Sequence, residues 1–324
     1  MIPFFVVDRP VSLEILKGVF FEFPRLRFGL MTHSNVSPNF VKIFREFPHK
    51  TTLKYFSPKD NLSEESLNNI IQRNIIKMSD SGAFQKNGIS LPYEKLFEKY
   101  VDLKVEFGII KDVLHNMEKT LKSAEEAFNV YEDNGFNKKF KLVGVAQGRN
   151  IEEYVTCYGE LLNMGYNYIA IGGLLKRNGD SNYVKVRSEQ FLKDVITAIK
   201  EEYAPEWIFV LGVYHPKRHK ILKELGVWGA DYKGWLFHYD EYYKTSIEEF
   251  LRYKDVKVAY KKFLKYKTAY RKERSKNARQ EFLRAKKELD NVLKRYGTSL
   301  QELRFREIRK RIIHEIIRKN SLVY

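Results

Sequence analysis

Residues 142–173 read LVGVAQGRNIEEYVTCYGELLNMGYNYIAIGG, and this stretch decides the fold. It begins with a short apolar run at residues 142–146. A helix-like segment follows at 151–164, and a second apolar run follows at 168–171. Short buried strands that alternate with amphipathic helices are typical of parallel β/α units. The stretch therefore predicts a strand, a helix and a second, parallel strand.

The same alternation runs through the first 235 residues. Further strand-like runs lie at residues 27–31, 75–78, 105–110, 207–213 and 226–228. Further helix-like segments lie at residues 117–134, 188–202 and 217–225. About seven or eight such units in roughly 240 residues favour an α/β fold of the (β/α)8 type, the TIM barrel, over an open sheet. No Gly-x-Gly-x-x-Gly and no Walker loop follows the early strands, which argues against a Rossmann or NTPase fold.

Basic charge is concentrated in one part of the chain. The net charge is +17, and residues 251–324 contain 24 Lys and Arg against 8 Asp and Glu. The other 250 residues carry 34 basic and 33 acidic side chains. A basic patch joined to a near-neutral body is typical of a polyanion-binding attachment. We therefore predict nucleic-acid binding by the tail, and the alternative is a solvated lysine-rich surface.

Two capping sequences predict the helices of the tail. Ser246-x-x-Glu249 has the form of a capping box and predicts a helix of about 50 residues that ends at Gly297. Ser299-x-x-Glu302 predicts the start of a second helix. Two helices joined by a short turn form a hairpin. A coiled segment used only for self-association is the alternative.

These patterns divide the chain into two predicted domains. Residues 1–245 are predicted to form the (β/α)8 barrel, and residues 246–324 a basic helical extension, a hairpin that binds nucleic acid. The predicted contacts of this hairpin with nucleic acid are Arg271, Lys272, Arg274 and Arg279.

Composition also bears on the compartment. No apolar run approaches the roughly 20 residues that span a bilayer, which predicts no membrane association. The first residues lack a basic region and a small-residue cleavage site, so no signal peptide is predicted. Cys157 is the one cysteine, which excludes an internal disulfide and fits a reducing cytoplasm. Because it falls within a helix-like segment, we expect it to be a packing residue.

Polar residues or glycines follow six of the predicted strands. They are Asp80, Asp112, Gln147 with Gly148, Gly172 with Gly173, Tyr214 with His215, and Asp231. In a (β/α)8 barrel the carboxyl ends of the strands meet at one face, where active sites lie. Two carboxylates on one scaffold suit a double displacement at a sugar carbon, in which one attacks C1′ and the other transfers the proton. For any single aspartate an ordinary turn is the alternative, because Asp-Ser-Gly is also a turn sequence.

Several of these segments resemble those of the tRNA-guanine transglycosylase superfamily. The matching segments are Asp80-Ser81-Gly82-Ala83-Phe84-Gln85, Val143-Gly144-Val145-Ala146-Gln147-Gly148, Ile171-Gly172-Gly173-Leu174 and Leu211-Gly212-Val213. Residues 226–231 match the family's nucleophile segment in spacing, with Asp231 at the nucleophile position. The order and intervals also match, over about residues 25–240. The resemblance implies a barrel that exchanges guanine in a polynucleotide for a 7-deazaguanine base.

The resemblance also implies a role for each matching residue. Asp231 would form a covalent glycosyl–enzyme intermediate, and Asp80 would be the general acid/base for the leaving and incoming bases. Phe84 would stack on the base, and Asp112 would read the donor edge of a guanine-like heterocycle. The other predicted substrate-binding residues are Ser81, Gln147, Gly148, Gly172, Gly173, Leu174, Leu211 and His215. These residue types suit a flat base with N–H donors that has left its stack.

The chain departs from the family in and after the nucleophile segment. The usual members carry a Cys-x-Cys-x-x-Cys…His zinc site, which a chain with only Cys157 cannot build. Trp228 replaces an acidic residue, and residues 232–235 break the common pattern. A zinc-free chain with its own basic tail resembles most the branch that inserts 7-deazaguanines, such as preQ0, into DNA. The alternatives are a tRNA transglycosylase without the zinc site and an inactive nucleic-acid-binding relative.

No energy cofactor is predicted, because a glycosidic bond is exchanged rather than hydrolysed. No metal site is predicted. Two basic groups near the strand ends have open interpretations. The segment His215-Pro216-Lys217-Arg218-His219 suggests metal or phosphate binding, and a helix that opens at its proline is the alternative. The second group, predicted to hold phosphates beside the flipped nucleotide unless it is simply solvated, is Arg149, Lys176 and Arg177.

Overall fold

Eight parallel strands close into a barrel in the order of the sequence. The computed structural model describes residues 1–51, 62–82, 91–174, 186–320 and 322. The strands are β1 (Ile2–Val6), β2 (Phe28–His33), β3 (Ile75–Asp80), β4 (Phe107–Ile109), β5 (Lys141–Ala146), β6 (Tyr168–Ile171), β7 (Ile208–Val210) and β8 (Gly229–Tyr232). Each pairs in parallel with the next, and β8 pairs with β1. The predicted (β/α)8 barrel is confirmed.

Helices alternate with these strands along the chain. In the described residues of the barrel they are α1 (Pro10–Glu22), α2 (Pro38–Arg45), α3 (Glu64–Asn74), α4 (Tyr93–Leu103), α5 (Met117–Asp133), α6 (Ile151–Asn163), α7 (Val186–Tyr203) and α8 (His219–Glu224). Asparagine caps begin two of them: Asn116 accepts from Lys119 N at 3.0 Å, and Asn150 accepts from Glu153 N at 2.8 Å. Cys157 is fully buried in α6, as expected of a packing residue, and burial raises the pKa of its thiol to about 11.

The register brings residues of neighbouring strands to the same level. Phe4 of β1 pairs with Gly29 of β2 and with Asp231 of β8, and His33 of β2 pairs with Asp80 of β3. Side chains alternate between the two faces of a strand, so paired residues share a face. A Cβ on Gly29 would lie 2.1 Å from the ring of Phe4. Glycine at this position therefore makes room for an aromatic ring inside the barrel.

Aromatic side chains fill the end of the barrel where the strands begin. This aromatic cluster consists of Phe4, Phe107, Tyr168, Trp207, Phe209 and Trp228. The rings of Phe4 and Phe209 meet edge to face with centroids 4.9 Å apart, and those of Trp207 and Trp228 lie 5.0 Å apart. Such contacts stabilise beyond the area they bury. Trp228, which replaces an acidic residue in the family resemblance, thus belongs to the core of the barrel.

The basic tail forms a second compact unit over Leu236–Lys319. Its helices are α9 (Tyr243–Ser246), α10 (Lys254–Glu273), α11 (Lys276–Lys294) and α12 (Leu300–Arg311), which continues as a π-helix over Ile312–Arg318. Its buried core includes Tyr243, Phe263, Leu289, Leu293 and Leu303. In the described part of either unit, no helix combines the length and the apolar character that crossing a bilayer requires.

The prediction of one helix over residues 246–297 is wrong. Helix α10 stops where Arg274 adopts a left-handed conformation with φ of 50°. Ser275 then caps α11, its hydroxyl accepting from a backbone N–H at 3.1 Å. The two helices fold back on each other, and the rings of Tyr270 and Phe282 stack with centroids 5.7 Å apart. The predicted basic hairpin is therefore built within the segment that was expected to be a single helix.

Only one of the two predicted capping sequences begins a helix. Ser299 accepts from Glu302 N at 3.1 Å and caps α12, which confirms that prediction. Ser246 instead ends the short helix α9. Its hydroxyl donates to a carboxylate oxygen of Glu307 at 2.5 Å. A tertiary hydrogen bond thus takes the side chain that the sequence pattern assigned to a cap.

Candidate active site

The three aspartates predicted from the strand ends lie at the carboxyl end of the barrel. Asp80 is the last residue of β3, Asp112 follows β4, and Asp231 lies in β8. Asp112 and Asp231 are each only 7% exposed, and Asp80 is half-buried. The charge of Asp80 raises the pKa of both other carboxyls. The barrel therefore brings Asp112 and Asp231, from two other strands, within electrostatic reach of Asp80.

Asp231 is held by the turn that follows β7. Its Oδ1 accepts from Gly212 N at 2.5 Å, and Gly212 has a φ of 70°, which glycine adopts without strain. Burial, followed in size by the charge of Asp80, raises the pKa of Asp231 to about 6, while the Gly212 bond opposes this rise. The carboxylate is therefore oriented by the backbone and is ionised above about pH 6.

Asp80 is held by the residues that follow β3, which pack against the end of β2. Burial raises the pKa of Asp80, opposed by hydrogen bonds from the backbones of Ser81 and Gly82. Ser34 holds this segment through two hydrogen bonds. Its backbone N–H donates to Asp80 O at 3.1 Å, and its hydroxyl donates to Ser81 O at 2.6 Å. Gly82 has a φ of 76°, and a Cβ there would lie 2.8 Å from Asn35 Nδ2. The Asp-Ser-Gly segment thus fixes the Asp80 carboxylate.

Asp112 is bound by the amide of Gln147. Gln147 Nε2 donates to Asp112 Oδ2 at 2.6 Å, and Gln147 Oε1 accepts from His115 N at 3.1 Å. Burial, followed in size by the charge of Asp80, raises the pKa of Asp112 to about 7, and the Gln147 bond opposes the rise. Both ends of the Gln147 amide are occupied by protein groups. Its position therefore suits holding Asp112 in place.

The glycines after β5 and β6 allow close packing around this amide. A Cβ on Gly172 would lie 2.4 Å from Gln147 Nε2, and one on Gly173, where φ is 70°, would lie 2.5 Å from Gln147 Oε1. A Cβ on Gly148 would lie 2.8 Å from the backbone N of Tyr154. Leu174, which follows, is buried. A side chain at Gly172 or Gly173 would therefore displace the Gln147 amide from Asp112.

The segment after β7 supports Asp231. Leu211 N donates to Ile171 O at 2.9 Å, and Tyr214 N donates to Asp231 O at 3.1 Å. His215 caps a short 3-10 helix over Pro216–Arg218, its ring accepting from the backbone N of the residue after Pro216 at 3.2 Å. The interpretation of this basic segment as a helix start is confirmed.

The other predicted contacts are placed as follows. Arg149 is exposed, and its Nε donates to His115 O at 3.3 Å. Phe84, Lys176 and Arg177 lie outside the described residues.

His33 and Lys233 were missed by the sequence analysis. His33 ends β2 and pairs in register with Asp80. Its Nδ1 accepts from Asn35 N at 3.2 Å, so the proton of the neutral ring is on Nε2. Burial lowers the pKa of His33, and the charges of Asp8 and Lys233 act on it in opposite directions. The search for polar residues at strand ends would have identified His33 if it had been applied to β2. There the apolar run at residues 28–31 is followed by one threonine and then by His33.

Lys233 places a positive charge near the acidic groups. It is exposed and follows Asp231 by two residues. Its charge opposes the rise in the pKa of both Asp80 and Asp231. The site therefore combines buried carboxylates with one cation close to them.

Within the described part of the chain, no group of three or more His, Cys, Asp or Glu side chains is placed to hold a metal ion.

Comparison with known proteins gives a distant structural match. No protein-family model matches the chain, and no curated protein matches it. A solved structure of the YdjI aldolase from Escherichia coli K12 matches with a TM-score of 0.45 and 11% sequence identity, over 96% of this chain and 89% of that one. This likeness is too slight to carry an argument about the activity of the chain.

Proposed function

We propose that this protein is a base-exchange transglycosylase that replaces guanine in DNA with a 7-deazaguanine. The observation that carries the proposal is the convergence of Asp80, Asp112 and Asp231 at one end of the barrel, each in a different hydrogen-bonding environment. Pairs of titratable groups whose surroundings separate their ionisation are typical of acid–base sites. The family resemblance of the segments around these residues supports the same assignment.

The exchange proceeds in two successive displacements at C1′. In the first, the ionised Asp231 forms a bond to C1′ as the bond from C1′ to guanine N9 breaks, and Asp80 donates a proton to the departing base. In the second, Asp80 removes a proton from the incoming base, whose N9 attacks C1′ and releases Asp231. Two displacements retain the configuration at C1′. Burial of Asp80 favours proton exchange at a higher pH than a solvated aspartate would allow.

Asp112 reads the base. In its ionised form it accepts hydrogen bonds from the N–H and amino edge that guanine and 7-deazaguanine share. Gln147 fixes the orientation of this carboxylate through the bond from Nε2 to Oδ2 at 2.6 Å. Specificity for the guanine edge follows, because a base without these donors would leave the acceptor positions of the buried carboxylate that Gln147 does not use without a partner.

The polynucleotide is assigned from charge and from the missing zinc site. Residues 251–324 carry 24 basic and 8 acidic side chains, which suits a phosphate backbone. The chain cannot build the cysteine zinc site that usual tRNA-modifying members carry, because Cys157 is its one cysteine. DNA is therefore the favoured substrate, and tRNA is the second candidate.

Exchange of radiolabelled guanine tests the proposal directly. Purified protein is incubated with labelled guanine and, separately, with duplex DNA, single-stranded DNA and tRNA. We expect label to enter DNA, and we expect Asp231→Asn to abolish this incorporation because it removes the nucleophile. The Asp133→Asn variant, altered at an exposed position at the C-terminal end of α5, serves as the control and should retain exchange.

Each other result decides against a part of the proposal. Incorporation into tRNA alone would move the assignment to the second candidate. Tight binding of DNA or RNA by the wild type, without incorporation of guanine or of a 7-deazaguanine, would show a nucleic-acid-binding relative without catalysis. Incorporation by Asp231→Asn at the wild-type rate would remove Asp231 from the mechanism.

A further inference from the structure

One face of α10 carries a row of exposed lysines. The row consists of Lys254, Lys257, Lys261, Lys265 and Lys272, and we call it the lysine stripe. At 100° of rotation per residue, its members fall within an arc of about 80° and extend over about 27 Å of helix. The buried residues Val256, Ala259 and Phe263 lie on the opposite side of the same helix. The hairpin core thus fixes the direction in which the stripe faces.

The stripe lysines differ from several other basic residues of the hairpin, which are ion-paired. Lys262, one residue away, pairs with Glu288 at 2.6 Å, and Arg271 pairs with Glu241 at 2.7 Å. On α11, Arg284 pairs with Glu281 at 2.9 Å, and after it Arg295 pairs with Asp255 at 3.0 Å. No stripe lysine forms an ion pair with any residue that the structure describes. The stripe is therefore one continuous line of charge on α10 that no described acidic side chain compensates.

We propose that the lysine stripe binds the phosphate backbone of the polynucleotide substrate. A straight row of cations matches a linear polyanion, in which one strand of B-DNA presents a phosphate about every 3.4 Å. Lysine supplies a flexible point charge, which contacts phosphates without reading bases. The stripe would therefore provide affinity that is independent of sequence. The identity of the polyanion rests on the proposed function, whereas the stripe's affinity does not depend on the chemistry of the barrel.

This assignment differs from the one made from the sequence. Of the four tail residues predicted to contact nucleic acid, only Lys272 belongs to the stripe. Arg271 is engaged with Glu241, and Arg274 occupies the left-handed end of α10. In this proposal, the side chains that contribute most to phosphate binding are the lysines that α10 aligns on one face.

The dependence of affinity on salt measures how many phosphates the protein contacts. Full-length protein is titrated into fluorescently labelled duplex DNA and followed by anisotropy, at salt concentrations between about 50 and 200 mM. The stripe variant is Lys257→Gln, Lys261→Gln and Lys265→Gln combined. We expect the slope of log affinity against log salt to fall by about 3 in magnitude, since each duplex phosphate contact contributes about 0.9.

A matched variant controls for net charge. Lys262→Gln, Arg284→Gln and Arg295→Gln combined remove the same charge from the same hairpin, but from residues that are already ion-paired. We expect the slope to change by less than about 1 in this control. Circular dichroism and thermal midpoints show that both variants are folded. Equal slopes in the two variants would overturn the proposal, because the contact would then follow net charge and not the stripe.

Two further arms separate the causes of failure. Asp231→Asn should keep the full slope, and a stripe-dependent slope in a wild type that exchanges no guanine would support the stripe while overturning base exchange. Vesicles that contain phosphatidylserine test the other polyanionic surface. Stripe-dependent binding to these vesicles, with no salt-dependent binding to duplex DNA or tRNA, would overturn the proposal in favour of a lipid surface.

Discussion

Each of the three aspartates ionises in its own environment. Asp231 is stabilised as a carboxylate by Gly212 N–H and by the charge of Lys233, whereas Asp112 has the Gln147 amide. The charge of Asp80 works against the ionisation of both. The same residue type therefore supplies groups that lose their protons at different pH, with the pKa of Asp231 at about 6 and that of Asp112 at about 7.

The rate of exchange should rise with pH through about 6, the pKa of Asp231. Only the ionised carboxylate attacks C1′, and its raised pKa delays ionisation to higher pH than in a solvated aspartate. Initial exchange rates at saturating DNA, measured on both sides of this pH, test the expectation. Because Lys233 lowers the pKa of Asp231, the variant Lys233→Met should move the rise to higher pH. A rate that does not change across this range would contradict the assignment of Asp231.

Binding of free guanine should strengthen as pH rises through about 7, the pKa of Asp112. Protonated Asp112 carries an O–H donor that cannot pair with the N–H edge of the base, whereas both oxygens of the ionised form are acceptors. Isothermal titration with guanine at a series of pH values measures this dependence. Asp112→Asn should weaken binding by roughly tenfold or more above that pH and remove the dependence. A pH dependence that persists in the variant would assign it to another group.

Among the turns between elements, the turn that contains Gly212 holds the reactive carboxylate of Asp231. Gly212 and Gly135 have nearly the same backbone conformation, with φ of 70° and 66°, and neither has an atom within 4 Å of a built Cβ. The two positions therefore share the backbone strain that a side chain would introduce. They differ in function, because Gly212 N–H binds Asp231 and Gly135 joins α5 to a 3-10 helix.

Alanine at either glycine should cost about 1 kcal/mol in the free energy of unfolding, since each would force a left-handed residue. Only Gly212→Ala should also lower the exchange rate, by about tenfold, because it shifts the N–H that orients the carboxylate. Urea unfolding and guanine exchange on the two variants measure the two effects separately. Equal rates in both variants would show that the bond from Gly212 to Asp231 has no catalytic consequence.

The sequence was sufficient for the barrel because its strands are short apolar runs with polar strand ends. The same rule identified Asp80, Asp112 and Asp231, which lie at the ends of different strands. It could not show that both ends of the Gln147 amide bond to protein groups, because these partners come from other loops. The break between α10 and α11 was missed because Arg274, and not glycine or proline, adopts the left-handed turn.

For the molecule as a whole, the active-site carboxyls reduce stability. The pKa of Asp112 is raised in the folded state to about 7 from 3.8, so the folded protein holds a proton that the unfolded chain releases. The stability that this bound proton contributes is fully present below pH 3.8, the pKa of Asp112 in the unfolded chain. It is lost as pH rises through about 7, the pKa in the folded protein. Buried charge at a reactive site is a common reason why function lowers stability.

Asp112→Asn should therefore raise the free energy of unfolding by about 2 kcal/mol above pH 7 and change it little below pH 4. Asparagine can still accept from Gln147 and carries no charge to bury. Urea unfolding at both extremes of pH measures the difference. The exposed Asp133→Asn is the comparison and should leave stability nearly unchanged at either pH. A destabilised Asp112→Asn protein at high pH would show that its negative charge supports the fold.

The aromatic cluster also gives the chain an internal optical reporter. The chain has three tryptophans, of which Trp207 and Trp228 lie in the cluster. These two and Trp235 all belong to the barrel unit, whereas Leu236–Lys319 contains tyrosine but no tryptophan. Emission excited selectively in the indole band therefore comes from the barrel alone, while helical ellipticity comes from both units. Recording the two signals on one unlabelled sample would resolve whether the basic unit melts with the barrel or independently of it.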